Sequence, residues 1–561
     1  MELETIRTEQ LGHLGIVSAT IKQLSLIKEI DALLPVSHKK GAKVTMGERV
    51  AAMILNGLGF LNDRLYMHSQ FFENKPLSRL FRDGVEAEHF NDDALGDCLD
   101  AIYEYGASKL FSNVAFKIAC DQKLLGKFSR IDTTSLSVYG DYEEEDSQDS
   151  GDEKQSDTNE EKSTEKKEFK ITYGYSKQKR IDLKQVILSL TVNGPSDLPL
   201  WVEGLSGNSS DKKSIKASVE KIEKFKKQLK EAANFIYVAD SALYNKELLN
   251  SPEIRWITRV PETIKEAKEL CQKDYDESQW KELDDKYKAI NFENNYGKVQ
   301  QRWQLIYSSS GYNREIATLE KKIEKEKANL IKAIKKLGKE LYKCKADAAK
   351  VITKLEKTQK YHKLVGNYIA ESKHVGQGRP KAIAEKEILG YRVEAQIIVN
   401  EEEIKKAKNT CGRFIIATNE LDKTEVPDDE LLLEYKNQSK VEKGFRFIKN
   451  NEFMLSSVYL KKASRIEALL MVMSFCLMIY NVGQYKIQKA LEANKDTIQN
   501  QVKKPTDKPT LRWIFRLIDK ISIVIYTIEG NTKTIVSNLC DTSKKIIRYF
   551  GVEAMTIYEV A

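Results

Sequence analysis

Two kinds of patterning divide this chain of 561 residues. Up to residue 124 the apolar positions recur at helical spacing, and from residue 128 they gather into short β-prone runs separated by polar turns. Thr45-Met-Gly-Glu48 matches a capping box ahead of an apolar-periodic run to Leu58, and Asn91-Asp-Asp opens another run to Tyr105. Residues 1–124 are therefore expected to be wholly helical. Phe128-Ser-Arg-Ile-Asp132 and Asn234-Phe-Ile-Tyr-Val-Ala-Asp240 read as strands, each ended or interrupted by an acid. From Pro261 to Gly412, Lys286–Ser308 alternates as strands, residues 313–365 form a long helical stretch, and Leu389–Asn400 returns to strand. Ile316, Leu319, Ile323, Leu330, Leu337 and Leu341 recur in three- and four-residue steps, which predicts an αα-hairpin or a coiled coil. Breaks in the seam at Glu326 and Ala333 favour the hairpin. Tyr435–Lys449, Ala463–Ile487, Leu511–Tyr526 and Thr542–Phe550 read as helices.

Composition narrows the class. The length exceeds what one core supports, so three or more domains are expected, and a hydrophobic content of 41% is ample for burial. Seven scattered cysteines without Cys-x-x-Cys spacing indicate neither a disulfide framework nor a zinc site, and suit a reducing cytoplasm. Met-Glu-Leu-Glu-Thr does not begin as a signal peptide does. The longest apolar stretch, Ala468–Tyr480, is too short to span a bilayer and is expected to be a buried helix, so no membrane association is expected.

Charge changes the picture further. Residues 141–168 hold thirteen acids and four lysines, a net of −9, so the rest of the chain carries +17 against the overall +8. The acidic, apolar-poor stretch is expected to be a disordered loop, read as a tolerated insertion in preference to a mimic of nucleic acid. The basic remainder favours approach to a polyanion and binding that weakens with salt.

The candidate chemistry lies in three acids. On one helical stripe of Tyr435-Lys-Asn-Gln438-Ser-Lys-Val-Glu442-Lys-Gly-Phe-Arg446-Phe-Ile-Lys449, a carboxylate sits among phosphate-binding groups. Asp132 and Asp240 each lie in an apolar run, where a carboxylate is costly unless a cation or hydrogen bonds compensate it. No competing set exists: the six histidines are scattered, and neither a Walker loop nor Gly-x-Ser-x-Gly occurs.

Tyr435, Gln438, Glu442 and Lys449, with gaps of two, three and six residues, resemble the Tyr-Arg-Glu-Lys signature of DDE transposases of the insertion-sequence-four superfamily, with Gln438 in place of Arg. Asp132, Asp240 and Glu442, in that order, resemble the ligand set of ribonuclease-H-like nucleotidyl transferases. Gly174-Tyr-Ser-Lys177, Leu198-Pro-Leu-Trp201 and Ile254-Arg-Trp-Ile look like the family's flanking strands. The resemblance implies an α/β fold: a helical region 1–124, a ribonuclease-H-like catalytic domain in two parts, 125–260 and 412–490, an insertion of strands and helices at 261–411, and a helical C-terminal region 491–561. It implies that Asp132, Asp240 and Glu442 are catalytic and hold Mg2+, with Mn2+ able to substitute. Tyr435, Arg446 and Lys449 would contact DNA phosphates, and Gln438 would hydrogen-bond without supplying charge.

The implied activity is cut-and-paste transposition on double-stranded DNA, by a homodimer that synapses two element ends. The alternatives are a DNA-binding protein that keeps this fold without catalysis, and a coiled-coil scaffold with incidental acids. Within residues 1–124, a helix-turn-helix near the basic His38-Lys-Lys-Gly-Ala-Lys43 competes with a plain helical packing domain. Gly378-Arg-Pro380, after Lys373 and His374, resembles the core of an AT hook. Trp280 and Trp303 are candidates to stack on a flipped base, or core residues.

Overall fold

The computed structural model describes residues 3–35, 42–60, 67–139, 142, 169–176, 180–229, 234–374, 386–450, 460 and 462–561. Residues 38–41 of the basic segment, Gly378-Arg-Pro380 and all of the acidic stretch except Tyr142 lie outside the described residues. The chain folds as two compact units, one of Met1–Trp256 with Glu434–Ala561 and the other of Ile257–Leu433.

In the first unit, the helix starts read from the sequence are present. Thr45 Oγ1 accepts from the Glu48 amide while Glu48 Oε2 accepts from the Thr45 amide, which opens the helix Met46–Leu58. Asn91 Oδ1 accepts from the Ala94 amide at the head of Asp92–Tyr105. These helices pack on Ala463–Ala493, a 31-residue helix whose Ile466, Leu470, Met471, Phe475 and Ile479 are buried. That helix is longer than the apolar stretch in the sequence suggests, and is long and apolar enough to cross a membrane. Its most apolar window, however, is 78% buried inside the protein.

Two expectations for the chain ends are corrected. Residues 1–124 are not wholly helical: Leu3–Gln10 is a strand, antiparallel to Ser522–Ile528. The predicted helix Leu511–Tyr526 stops at Ile518, and Ser522–Ile528 forms a hairpin with Asn531–Ser537. The β-branched run Ile523-Val-Ile-Tyr-Thr-Ile528 favours strand. Glu529 and Gly530, both with positive φ (50° and 76°), make the two-residue turn whose twist matches a hairpin. Tyr558 closes the same region: its buried hydroxyl donates to the Gly12 carbonyl at 2.5 Å and accepts from the Ile16 amide at 3.1 Å.

The sheet of the first unit is mixed. Phe128–Val138 pairs antiparallel with Lys184–Asn193, which pairs antiparallel with Leu198–Ser206. On its other side Phe128–Val138 pairs parallel with the short strand Ile236–Ala239.

In the second unit, Arg413–Thr418 lies between residues 257–259 and Gln301–Ser308, and Tyr287–Asn294 and Lys281–Asp284 follow, all antiparallel. The unit thus takes in Arg413–Thr418 and runs to Leu433, beyond the expected boundary at 411, because that strand is hydrogen-bonded along its length to Gln301–Ser308. The long helix Ser309–Leu337 and the helix Lys345–Lys357 do not make the expected αα-hairpin. They cover one face of a two-stranded ribbon, His362–His374 with Lys386–Val399, sharing a core of Leu330, Ala348, Ile352, Leu364 and Val393. The sheet face offers the continuous apolar surface that the broken seam at Glu326 and Ala333 lacks. Trp303 is a fully buried core residue, while Trp280 stacks on the Arg413 guanidinium at 5.3 Å.

Candidate active site

The register of the first unit's sheet brings two of the predicted acids side by side. Phe128 pairs with Ile236, Ser129 with Tyr237 and Arg130 with Val238 in a parallel ladder. Two residues further on, one pleat along the same face, come Asp132 and Asp240. Adjacent strands lie about 4.8 Å apart. Asp132 is half-buried, with Oδ1 accepting from the Thr133 amide at 2.7 Å. Asp240 is exposed just past the end of its strand, with Oδ1 accepting from the Ala242 amide at 2.9 Å. Each acid is thus oriented by a neighbouring backbone amide, as short acidic side chains often are. Of the residues following them, Thr133 is buried and Ser241 half-buried.

The Tyr435–Lys449 segment is not the single helix expected. Asp428–Lys436 ends at a turn, and Ser439–Ile448 begins after it. Through the turn, i→i+3 bonds replace helical ones: Gln438 amide to Tyr435 carbonyl at 3.1 Å, Lys440 to Asn437 at 2.9 Å and Val441 to Gln438 at 3.0 Å. Asn437 competes locally, its side-chain amide donating to Glu434 Oε1 at 3.1 Å.

The second helix buries Val441, Gly444, Phe445 and Ile448 against the strands Phe128–Val138 and Lys184–Asn193, leaving Glu442 and Arg446 exposed. Tyr435, Gln438 and Lys449 are half-buried. The approach is close because residue 444 has no side chain. A Cβ there would meet Leu190 Cδ2 and Leu477 Cδ2, each at 3.1 Å, and Leu190 is the cross-strand partner of Asp132. Phe447 packs on Tyr480 with ring centroids 4.8 Å apart, and Lys440 Nζ lies 3.0 Å from Asp197 Oδ1.

The parallel register thus sets Asp132 and Asp240 each two residues beyond its last pair, Arg130 with Val238, and the helix of Glu442 packs on the strand that carries Asp132. The side chains of Glu442 and Arg446 make no hydrogen bond or ion pair with other described residues. No group of three or more His, Cys, Asp or Glu side chains among the described residues is close enough to hold a metal ion. Asp132 and Asp240 fit a hard divalent cation as an oxygen-donor pair.

Two residues of this region escape a reading of the sequence. Arg130, 4% exposed, donates through Nη2 to Oε2 of Glu434, 7% exposed and 304 residues away. A charged residue inside an apolar strand was the available signal, since such a group requires a buried partner.

Comparison with known proteins identifies the family of the chain. The family model of the transposase DDE domain matches residues 131–481, and that of a domain of unknown function, DUF4277, matches residues 6–116. Among solved structures, the cryo-EM structure of a piggyBac transposase synaptic complex with hairpin DNA is similar at 8% identity and a TM-score of 0.34, over 87% of this chain and 76% of that one. The comparison with curated proteins finds no match. The transposase match covers more than half of the chain, opens one residue before Asp132 and includes Asp240 and Glu442, so the chain belongs to the DDE-domain transposase family.

Proposed function

We propose that this protein is a cut-and-paste transposase of a prokaryotic insertion sequence, of the insertion-sequence-four type, acting in the cytoplasm on the ends of its own element. The observation that carries the reading is the parallel register that ends at Arg130 and Val238, two residues before Asp132 and Asp240, with the helix of Glu442 packed on the Asp132 strand. The order of the strands Leu198–Ser206, Lys184–Asn193, Phe128–Val138 and Ile236–Ala239, three antiparallel and the last parallel, supports a ribonuclease-H-like catalytic domain.

In this reading Asp132, Asp240 and Glu442 are the catalytic carboxylates and hold Mg2+ or Mn2+. The metal supplies Lewis-acid activation of the phosphodiester and of the attacking hydroxyl. The chain's own part is to position the DNA. Tyr435 and Lys449 hold phosphates beside the scissile bond, Arg446 adds a mobile charge, and Gln438 offers an uncharged hydrogen bond. The excess of +17 outside residues 141–168 attracts double-stranded DNA, and two copies of the chain synapse the two ends.

A second reading is a DNA-binding protein without catalysis, supported by the finding that no three His, Cys, Asp or Glu side chains among the described residues lie close enough to hold a metal ion. A labelled duplex carrying the element's ends separates the two. The transposase reading expects nicking with Mg2+ that stops with EDTA and in Glu442→Gln. Binding without cleavage under Mg2+ and Mn2+ selects the second reading.

A further inference from the structure

The buried pair Arg130–Glu434 lies one pleat before Asp132 on the same strand face and one residue before Tyr435 on the helix that leads into Ser439–Ile448. Arg130 is in register with Val238, two residues before Asp240. The pair therefore joins the strand that carries Asp132, the neighbour of the strand that leads into Asp240, to the segment that presents Glu442. Glu434 is engaged on both oxygens, by Arg130 and by Asn437 in the turn between the two helices.

Its energetics make it a poor stabiliser. Two charges are taken out of water, and Arg130 Nε is buried with no hydrogen-bond partner. Such pairs are commonly replaceable by apolar side chains without loss of stability, whereas removal of one partner strands the other. An apolar contact at this place would hold the helix without fixing its register, while a guanidinium donating to one carboxylate oxygen sets both position and rotation.

We infer that Arg130 and Glu434 are positioning residues that set the register of the Glu442 helix over the aspartate pair, so that the third carboxylate reaches the metal site when metal and DNA are bound. This rests on the transposase reading. The clamp touches neither DNA nor metal. It acts through the turn at Asn437-Gln438 and the first turn of the helix Ser439–Ile448.

The test compares the full-length wild type with four variants: Arg130→Met with Glu434→Leu, the charge swap Arg130→Glu with Glu434→Arg, Glu442→Gln, and Asp132→Asn. Melting temperature, Mn2+ binding by electron paramagnetic resonance, and single-turnover cleavage of an end duplex are measured for each. The apolar pair is expected to melt within a few degrees of the wild type and to bind the duplex normally. It should bind Mn2+ more weakly and cleave more slowly, each by about 10-fold or more, the range for residues that orient metal ligands. The swap should recover part of both losses.

An apolar pair that binds Mn2+ and cleaves as the wild type does overturns the inference, as does a swap that melts like the wild type yet recovers neither loss. If Glu442→Gln weakens Mn2+ binding and the apolar pair does not, the clamp is refuted and the transposase reading stands. If the wild type never cleaves, and Asp132→Asn binds Mn2+ as the wild type does, the transposase reading fails and the clamp falls with it.

Discussion

The two places that supply the candidate acids are built by different physics. Asp132 and Asp240 are placed by the hydrogen-bond register of neighbouring strands, with each carboxylate oriented by an amide one or two residues away. Glu442 is placed by side chains: the Gly444 contact with Leu190 and Leu477, the Phe447–Tyr480 stack, and the Arg130–Glu434 pair across 304 residues. A register slips only if the sheet comes apart, whereas a helix docked through side chains shifts when one contact changes. The aspartate pair is thus the rigid half of the site, and the glutamate its adjustable half.

The sharpest way to separate the halves is to remove charge from the rigid one while keeping its geometry. In Asp132→Asn and in Asp240→Asn the side-chain carbonyl still accepts the Thr133 or Ala242 amide, so the local turn survives. Each variant is expected to melt close to the wild type, as substitutions that preserve local bonds do, and to lose cleavage by about 100-fold or more, the scale for removal of one preorganised charge-stabilising group. Circular dichroism melts beside the cleavage assay check this. Residual activity above one-tenth for either variant would take that acid out of the site.

The adjustable half is broken by adding volume where the helix needs none. In Gly444→Val the new side chain meets Leu190 and Leu477, already 3.1 Å from the position of a Cβ. Overpacking of this kind costs about 1–3 kcal/mol. The helix is expected to lift away from the strand of Asp132, lowering the melting temperature and slowing cleavage, while the parallel register of Asp132 and Asp240 persists. Hydrogen exchange resolved by segment reads the difference. Amides of Ser439–Ile448 should lose protection, and those of Phe128–Val138 should keep it.

The same division explains what the sequence discloses. The strands of Asp132 and Asp240 are legible because short apolar, β-branched runs bounded by turn residues are local signals. The capping residues Thr45 and Asn91 are legible for the same reason. The strand Leu3–Gln10 is not, since it exists only by pairing with a segment more than 500 residues later, Leu3 opposite Ile528. Ser522–Ile528 was hidden behind the helical periodicity of Leu511–Ile518, although Glu529-Gly530 marks a turn. In the second unit the apolar steps along Ser309–Leu337 identified a helix but not its partner, because a ribbon and a second helix ask for the same stripe. At the site, spacing singled out Glu442, but the break at Asn437-Gln438 and the clamp on Glu434 depend on Arg130, which no local pattern ties to them.

The smallest effect expected is one that should leave both halves of the site alone. Asp496, near the C-terminal helices, accepts from Tyr549 at 2.6 Å, from Lys545 at 3.0 Å and from the Thr497 amide at 2.7 Å. These bonds, that from Tyr549 foremost, hold its carboxyl down to about 2. An unfolded aspartate titrates near pH 3.9. Because the folded value is the lower, the group adds stability that is fully present above the unfolded value and is lost as pH falls from about 4 toward 2. The side chain is half-buried and partly screened by solvent, so the contribution is modest. Asp496→Asn is therefore expected to melt slightly below the wild type at pH 7, with the gap closing by pH 2.5 and cleavage at pH 7 unchanged. A gap that stays constant with pH would mean that the interaction is carried by hydrogen bonds alone. Lost cleavage at pH 7 would mean that the C-terminal region and the glutamate helix are mechanically coupled, and that the adjustable half extends beyond the contacts of Gly444, Phe447 and Glu434.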